Sequence, residues 1–332
     1  MEAETPVIEI KPPLLNSANP WATTHDDIAA LFKCPSLGAI TTRTALVNGF
    51  KHDAAVHQYT YFDPVTHESS EDVKDVKSTE KSSLNTLGYS PFLLKEYLSY
   101  IKAISDELPE PSTKLIIVSV TGTPDEVAEC YRHVAEHSKV VQMPLAVEIN
   151  LSCPNIPNAP PPAYSGDSLL LYLKALREII TTNDQPRIPF GLKTPPYTHA
   201  GQFEVLVSTL RAQGSPCPVS FLTATNTLGS CLVLFGSDCE TGEPKLPGIG
   251  IGGMAGASLH PLALGNVATL RKMLDQGEDT KNVKVIGIGG VEDASGYRRM
   301  KGVGAYAVGV GTALGRKGLK VFEEINAGLK DK

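Results

Sequence analysis

Short, nearly continuous apolar runs separated by amphipathic stretches dominate the pattern along this chain. Eight of them read as strands: Leu14–Asn16, Leu37–Thr41, Lys114–Val120, Leu145–Asn150, Pro189–Lys193, Pro218–Ala224, Val283–Ile288 and Ala305–Val310. The first is barely a strand on its own residues. Runs such as Leu115-Ile116-Ile117-Val118 lack alternation, as expected of strands covered on both faces. Between them lie helical patterns. Thr123-Pro124-Asp125-Glu126 is a capping box with proline at the first helical position. Val127, Tyr131 and Val134 then share one face, and Ser168 to Ile180 forms a second amphipathic stretch. Strands alternating with helices imply parallel βαβ units, and eight such units close into a (β/α)8 TIM barrel.

Two excursions break the rhythm, both leaving from the C-terminal ends of strands. Residues 45–83 follow the second strand and carry the alternating segment His57 to Phe62. Residues 228–258 follow the sixth and are rich in glycine. Barrel enzymes build their sites at that end, so both are expected as active-site insertions, the second as a lid. The whole chain, 1–332, is expected to be a single barrel domain.

Composition narrows the partners. With 36 acidic and 30 basic residues the net charge is −6, which gives no reason to expect nucleic acid or an anionic membrane. An anionic small molecule must therefore find local basic groups. The N-terminus lacks the apolar core of a signal peptide, and no apolar run approaches membrane-spanning length. The six cysteines show no CxxC pairing, which favours a reduced, cytoplasmic protein.

Candidate chemistry concentrates at strand ends. Glu148 to Asn155 (EINLSCPN) sets two amides and a thiol at the mouth of the fourth strand. Asn150 and Asn155 can grip the carbonyl and N–H groups of a ring. Cys153, with a reference pKa of about 8.5, can take a proton beside a carbonyl. The plainer reading is a buried cysteine between turn-forming asparagines. Asn226 and Thr227 end the sixth strand, Asn85 precedes Leu87 and Gly88, and barrel geometry would gather all of these around one cavity. Gly289 and Gly290 after strand seven, with Gly311 and Thr312 after strand eight, occupy the recurrent phosphate position of this fold. Tight strand-to-helix turns are the competing explanation. Lys193 ends strand five and, if inward, needs an anion such as a reduced flavin; otherwise it is a surface lysine. Arg43 can offer a carboxylate two parallel donors, or be exposed beside an acid.

Three patterns fail in context. Gly248 to Gly253 matches GxGxxG, but Pro244 to Pro247 precedes it instead of a strand. His133 to His137 matches HxxEH, yet both histidines fall off the apolar stripe and are expected in solvent. Glu68 to Lys81 mixes charges and reads as a solvated loop.

The segment NLSCPNIPNAPPPAY closely resembles the catalytic loop of class 1A dihydroorotate dehydrogenases, the soluble, dimeric, fumarate-using branch. SLNTLG, GLKTPPY, ATNTLG, HPLALGNV, VIGIGG and VGVGTAL match in family order from Ser17 to Leu314. The resemblance implies FMN as cofactor, dihydroorotate as substrate, fumarate as acceptor and a homodimer, in pyrimidine biosynthesis. It implies Cys153 as base for the C5 proton while hydride leaves C6. Asn85, Asn150, Asn155, Asn226 and Thr227 would hold the ring, with backbone help at Leu87 and Gly88. Ser17, Ala18, Lys193 and Gly253 would line the flavin, and Gly289, Gly290, Gly311 and Thr312 would hold its phosphate. Arg43, standing where the family has lysine, would touch flavin and substrate, as Asn85 and Asn150 would. Asn19, Trp21, Met254 and Ala255 also depart from the family, the first insertion is longer than usual, and the usual C-terminal tail is absent. Those departures leave room for a divergent oxidoreductase or ene-reductase on another ring, or for a silent FMN-binding paralogue.

Overall fold

The computed structural model describes residues 5–152, 161–181, 186–236 and 242–330. Its twelve strands are β1 (Leu14–Asn16), β2 (Ala39–Thr41), β3 (Tyr59–Phe62), β4 (Ser82–Asn85), β5 (Leu115–Val120), β6 (Leu145–Asn150), β7 (Phe190–Thr194), β8 (Phe221–Ala224), β9 (Leu228–Cys231), β10 (Gly252–Gly256), β11 (Lys284–Ile288) and β12 (Ala307–Val310). Eight form a parallel sheet in the order β1-β12-β11-β8-β7-β6-β5-β2. These are the eight apolar runs of the sequence, and with helices between them they make the expected (β/α)8 barrel. Several start later than expected, at Phe190 for instance, because the proline just before it has no N–H for the ladder.

Side chain and backbone together close the barrel between β1 and β2. The Asn16 amide donates to the Thr41 carbonyl at 2.7 Å and accepts from the Thr41 N–H at 2.9 Å. The Gly38 N–H adds a bond to the Leu14 carbonyl. A buried asparagine thus supplies the ladder rungs that two three-residue strands are too short to make.

The helices are α1 (His25–Lys33), α2 (Leu94–Asp106), α3 (Pro124–His137), α4 (Gly166–Thr181), α5 (Ala200–Arg211), α6 (His260–Asp275), α7 (Ala294–Gly302), α8 (Thr312–Lys317) and α9 (Lys320–Lys330). The capping box of α3 forms as read, with Thr123 and Glu126 satisfying each other's backbone N–H groups. Val127, Tyr131 and Val134 are buried. His133 is exposed, but His137 is half-buried, which corrects the expectation that both face solvent. Its Nε2 has no partner among the described residues, and burial pushes its pKa down. No group of three metal-binding side chains exists among the described residues.

Strand alternation sorts the barrel wall. Val147 and Ile149 of β6 face the helices, whereas Ala146 joins the interior cluster with Leu15, Ile117, Phe221 and Ile286. Glu148 and Asn150 share the side of Ala146 and are buried. On β7 a Cβ at Gly191 would meet the Phe221 ring at 2.4 Å, so this glycine makes room for the largest interior side chain. Lys193 follows on the same side. The interior therefore runs from apolar at the N-terminal ends to polar at the C-terminal ends.

The two excursions meet above that polar end. β3, β4, β10 and β9 form a four-stranded antiparallel sheet, with Asn85 opposite both Tyr59 and Gly253. The GxGxxG match is a loop that runs into β10, with no helix packed for dinucleotide binding. The stretch from Glu68 to Lys81 is mostly exposed, but Glu80 is buried and accepts from the backbone of Ser70 and Lys77. Instead of a freely solvated loop, the segment is knotted around one internal carboxylate.

Candidate active site

One cavity lies between the C-terminal ends of the barrel strands and the antiparallel sheet. Ser17 and Ala18 reach it from β1, Arg43 from β2, Asn150 from β6, Lys193 from β7, and Asn226 and Thr227 from β8. Gly289, Gly290, Gly311 and Thr312 line it beyond β11 and β12, while Asn85, Leu87 and Gly88 descend from the sheet. Residues far apart in sequence are thus brought together as barrel geometry required. Cys153 and Asn155 lie outside the described residues. Gly253 stands behind the wall, its carbonyl accepting from Asn85 Nδ2 at 3.0 Å; Ala255 and Gly256 line the cavity in its place.

The amides are tied to one another. Asn150 Nδ2 donates to Thr44 Oγ1 at 3.1 Å, and Asn150 Oδ1 accepts from the Ser152 N–H, Ser152 Oγ and Asn226 Nδ2, each at 3.2 Å. Asn226 Nδ2 also reaches Ser152 Oγ, and its Oδ1 accepts from the Thr227 N–H. Asn226 therefore has both N–H groups in use and offers a ligand its carbonyl oxygen. Below them Thr225, almost wholly buried, lines the cavity with a hydroxyl that has no partner among the described residues. Sequence reasoning passed over Thr225, although it stands beside Asn226 at the strand end.

The glycine loops present donors without acceptors. Among the described residues, none of the peptide N–H groups of Gly289, Gly290, Gly311 and Thr312 meets a protein acceptor. Gly290 adopts φ +67°, and a Cβ there would lie 2.6 Å from the Gly256 carbonyl oxygen, so only glycine fits. Converging unpaired N–H groups at a helix start suit an anion such as phosphate. His260 braces the loop: its Nδ1 bonds the Gly289 carbonyl at 2.7 Å, while Nε2 accepts from Arg299 Nε at 3.0 Å. With Nε2 accepting, Nδ1 is the nitrogen that donates to the loop. No sequence signal marked it, because the partners come from separate helices.

Two cations face the same space. Lys193 is 4% exposed, and no carboxylate pairs with it among the described residues. Burial lowers the pKa of Arg43, whose one side-chain hydrogen bond among the described residues, to the Gly88 carbonyl, is long at 3.5 Å. Buried positive charge without a carboxylate asks for an anionic ligand. At the rim Trp21 lines the cavity, stacked on Tyr61 at 6.3 Å and edge-on to Tyr59 at 5.6 Å. The indole lies flat over Gly315 of α8. Here the departure at Trp21 is accommodated by the absence of a neighbouring side chain.

A family model described as dihydroorotate dehydrogenase matches residues 72–332. The chain belongs to the dihydroorotate dehydrogenase family. Members similar to it include the dihydroorotate dehydrogenase (fumarate) of Trypanosoma brucei brucei, 32% identical over 75% of this chain and 72% of that protein. The Saccharomyces cerevisiae dihydroorotate dehydrogenase (fumarate) is 29% identical over 76% of this chain and 74% of its own. The Lactococcus lactis dihydroorotate dehydrogenase A (fumarate) is 28% identical over the same shares. This family member is an oxidoreductase acting on CH–CH groups. No helix among its described residues is long and apolar enough to cross a membrane.

Proposed function

We propose that the protein oxidises dihydroorotate to orotate with FMN as cofactor and fumarate as final acceptor. The observation that carries this reading is the meeting, in one cavity, of unpaired loop N–H groups, a buried lysine, a half-buried arginine and a set of strand-end amides. Those residues fit the cofactor. Gly289, Gly290, Gly311 and Thr312 would hold its phosphate, Ser17, Ala18 and Lys193 its ring system, and the Thr225 hydroxyl would gain a partner. When bound, FMN supplies a two-electron acceptor for the hydride that leaves C6.

The chain's own residues would do the rest. Arg43 would pair with the substrate carboxylate, and the Asn226 carbonyl oxygen would accept from a ring N–H. Asn150 would donate its remaining N–H to a ring carbonyl, while Asn85, Leu87, Gly88, Thr227 and Asn155 would complete the grip. Cys153 as thiolate would take the C5 proton, so that proton and hydride leave adjacent carbons and a C=C bond forms. The antiparallel sheet would exclude water, with residues 228–258 acting as its lid. We assign residues 1–332 to one domain carrying the 45–83 insertion, and the assembly to a homodimer, which sedimentation would test.

An absorption spectrum tests the chemistry. Purified protein should show an oxidised flavin that anaerobic dihydroorotate bleaches and fumarate restores. Cys153→Ser should slow the bleaching severely at neutral pH. A flavin that stays yellow refutes the substrate assignment. Trp21 and Arg43 favour a second reading, a related enzyme for another cyclic compound or an ene-reductase. Flavin reduced or reoxidised by a different ring, with dihydroorotate inert, would select it.

A further inference from the structure

Behind the cavity lies a buried chain of hydrogen bonds that no motif marks. Glu148, 1% exposed, accepts from Ser119 Oγ at 3.0 Å. Ser119 Oγ lies 2.9 Å from Thr44 Oγ1, and Thr44 Oγ1 accepts from Asn150 Nδ2. Four residues on β2's exit, β5 and β6 thus join a carboxylate inside the barrel to an amide at the site. Ser119 and Glu148 do not line the cavity.

The direction of every bond follows from counting protons. Ser119 Oγ donates its single proton to Glu148 Oε1. Ser119 must then accept from Thr44, whose only proton is thereby used. Thr44 in turn can only accept from Asn150, which settles the amide with its nitrogen towards Thr44. At the far end the Ser152 N–H, which can only donate, meets Asn150 Oδ1 and demands the same orientation. With Oδ1 already accepting three bonds, what Asn150 has left for a ligand is an N–H.

We infer that Glu148 is a positioning residue, whose charge holds Asn150 as a hydrogen-bond donor towards the substrate through Ser119 and Thr44. The role of Asn150 towards a ring rests on the function proposed above; its orientation does not. Charge-assisted bonds are about twice as strong as neutral ones, and neighbouring bonds in a chain polarise one another. A Gln at 148 keeps the shape, removes the charge and can present either an acceptor or a donor to Ser119. That second option would reverse the chain and set it against the Ser152 N–H.

Two readouts on the purified protein test this. The Asn150 side-chain amide, assigned by its loss in Asn150→Ala, should shift in nitrogen-15 spectra of Glu148→Gln and of Ser119→Ala without ligand. Orotate should bind Glu148→Gln about fivefold more weakly than wild type, and Glu148→Gln should add nothing in an Asn150→Ala background. An unmoved resonance, or an equal loss of affinity in the Asn150→Ala background, overturns the inference. If Glu148→Gln does not fold, Ser119→Ala carries both measurements. A wild-type protein that ignores orotate refutes the substrate reading instead, and the ligand-free resonance still decides the positioning role.

Discussion

Trp21 is the only tryptophan in the chain, and it stands on the cavity wall against Gly315. In Gly315→Ala the new Cβ would fall 2.0 Å from Trp21 Cζ2 and 2.3 Å from two neighbouring ring atoms. Carbon contacts settle near 3.5–4.0 Å, so the indole must retreat by roughly 1.5–2 Å. Overpacking of this kind costs about 1–3 kcal/mol. Loosening the contacts with Tyr59 and Tyr61 adds about 0.5–1.5 kcal/mol per pair. Against this, alanine inside α8 recovers about 1 kcal/mol of helix propensity. The clash should win by about 1–5 kcal/mol, a fall in melting temperature of about 2–10 °C for a chain of this size. Tryptophan emission should change with it, since one indole supplies the whole signal, and FMN retention should drop. A variant that melts higher with an unaltered emission spectrum would refute the packing argument.

Two further perturbations probe the scaffold. Asn16→Ala removes the side-chain rungs between β1 and β2 and strands the buried Thr41 N–H and carbonyl, at about 1–3 kcal/mol each; urea denaturation should show the loss, and an unchanged midpoint would mean the barrel closes without them. Cys217 is pushed up from 9.0 to about 11, first by burial and then by Asp279 against the relief of the Val219 N–H. Its neutral form belongs to the folded state, so its contribution is whole below pH 9 and is lost as pH rises towards 11, about 2–3 kcal/mol. Denaturation at pH 8 and pH 11 should show this decline, and Cys217→Ala should flatten it.

The barrel strands were legible because coverage on both faces leaves unbroken apolar runs, and each strand of the barrel corresponds to one. The site residues were legible for a different reason: every barrel strand ends at the same rim, so polar residues at strand ends converge. In the sheet above the cavity β3 shows as the alternation from His57 to Phe62, but β9 and β10 could not be read, since LGSC and GGMAG carry no alternation and become strands only by pairing with a neighbour. Glu80 was hidden among exposed charges of both signs, and only its contacts with Ser70 and Lys77 distinguish it. His137 looked polar by helical position, yet α3 lies deep enough to half-cover it. Glu148 was visible only as a letter before a recognisable loop, because strand pairing alone sets it beside Ser119.

The antiparallel pairing of β4 with β10 has a consequence for biosynthesis. Its two partners lie roughly 170 residues apart, and a ribosome adding about 5–20 residues per second needs on the order of ten to thirty seconds to bridge that gap. Throughout that interval one edge of β4 has backbone groups and no mate. Nascent chains should therefore be most prone to mispairing after the first excursion emerges, and a translational pause before Gly252 would lengthen the hazard.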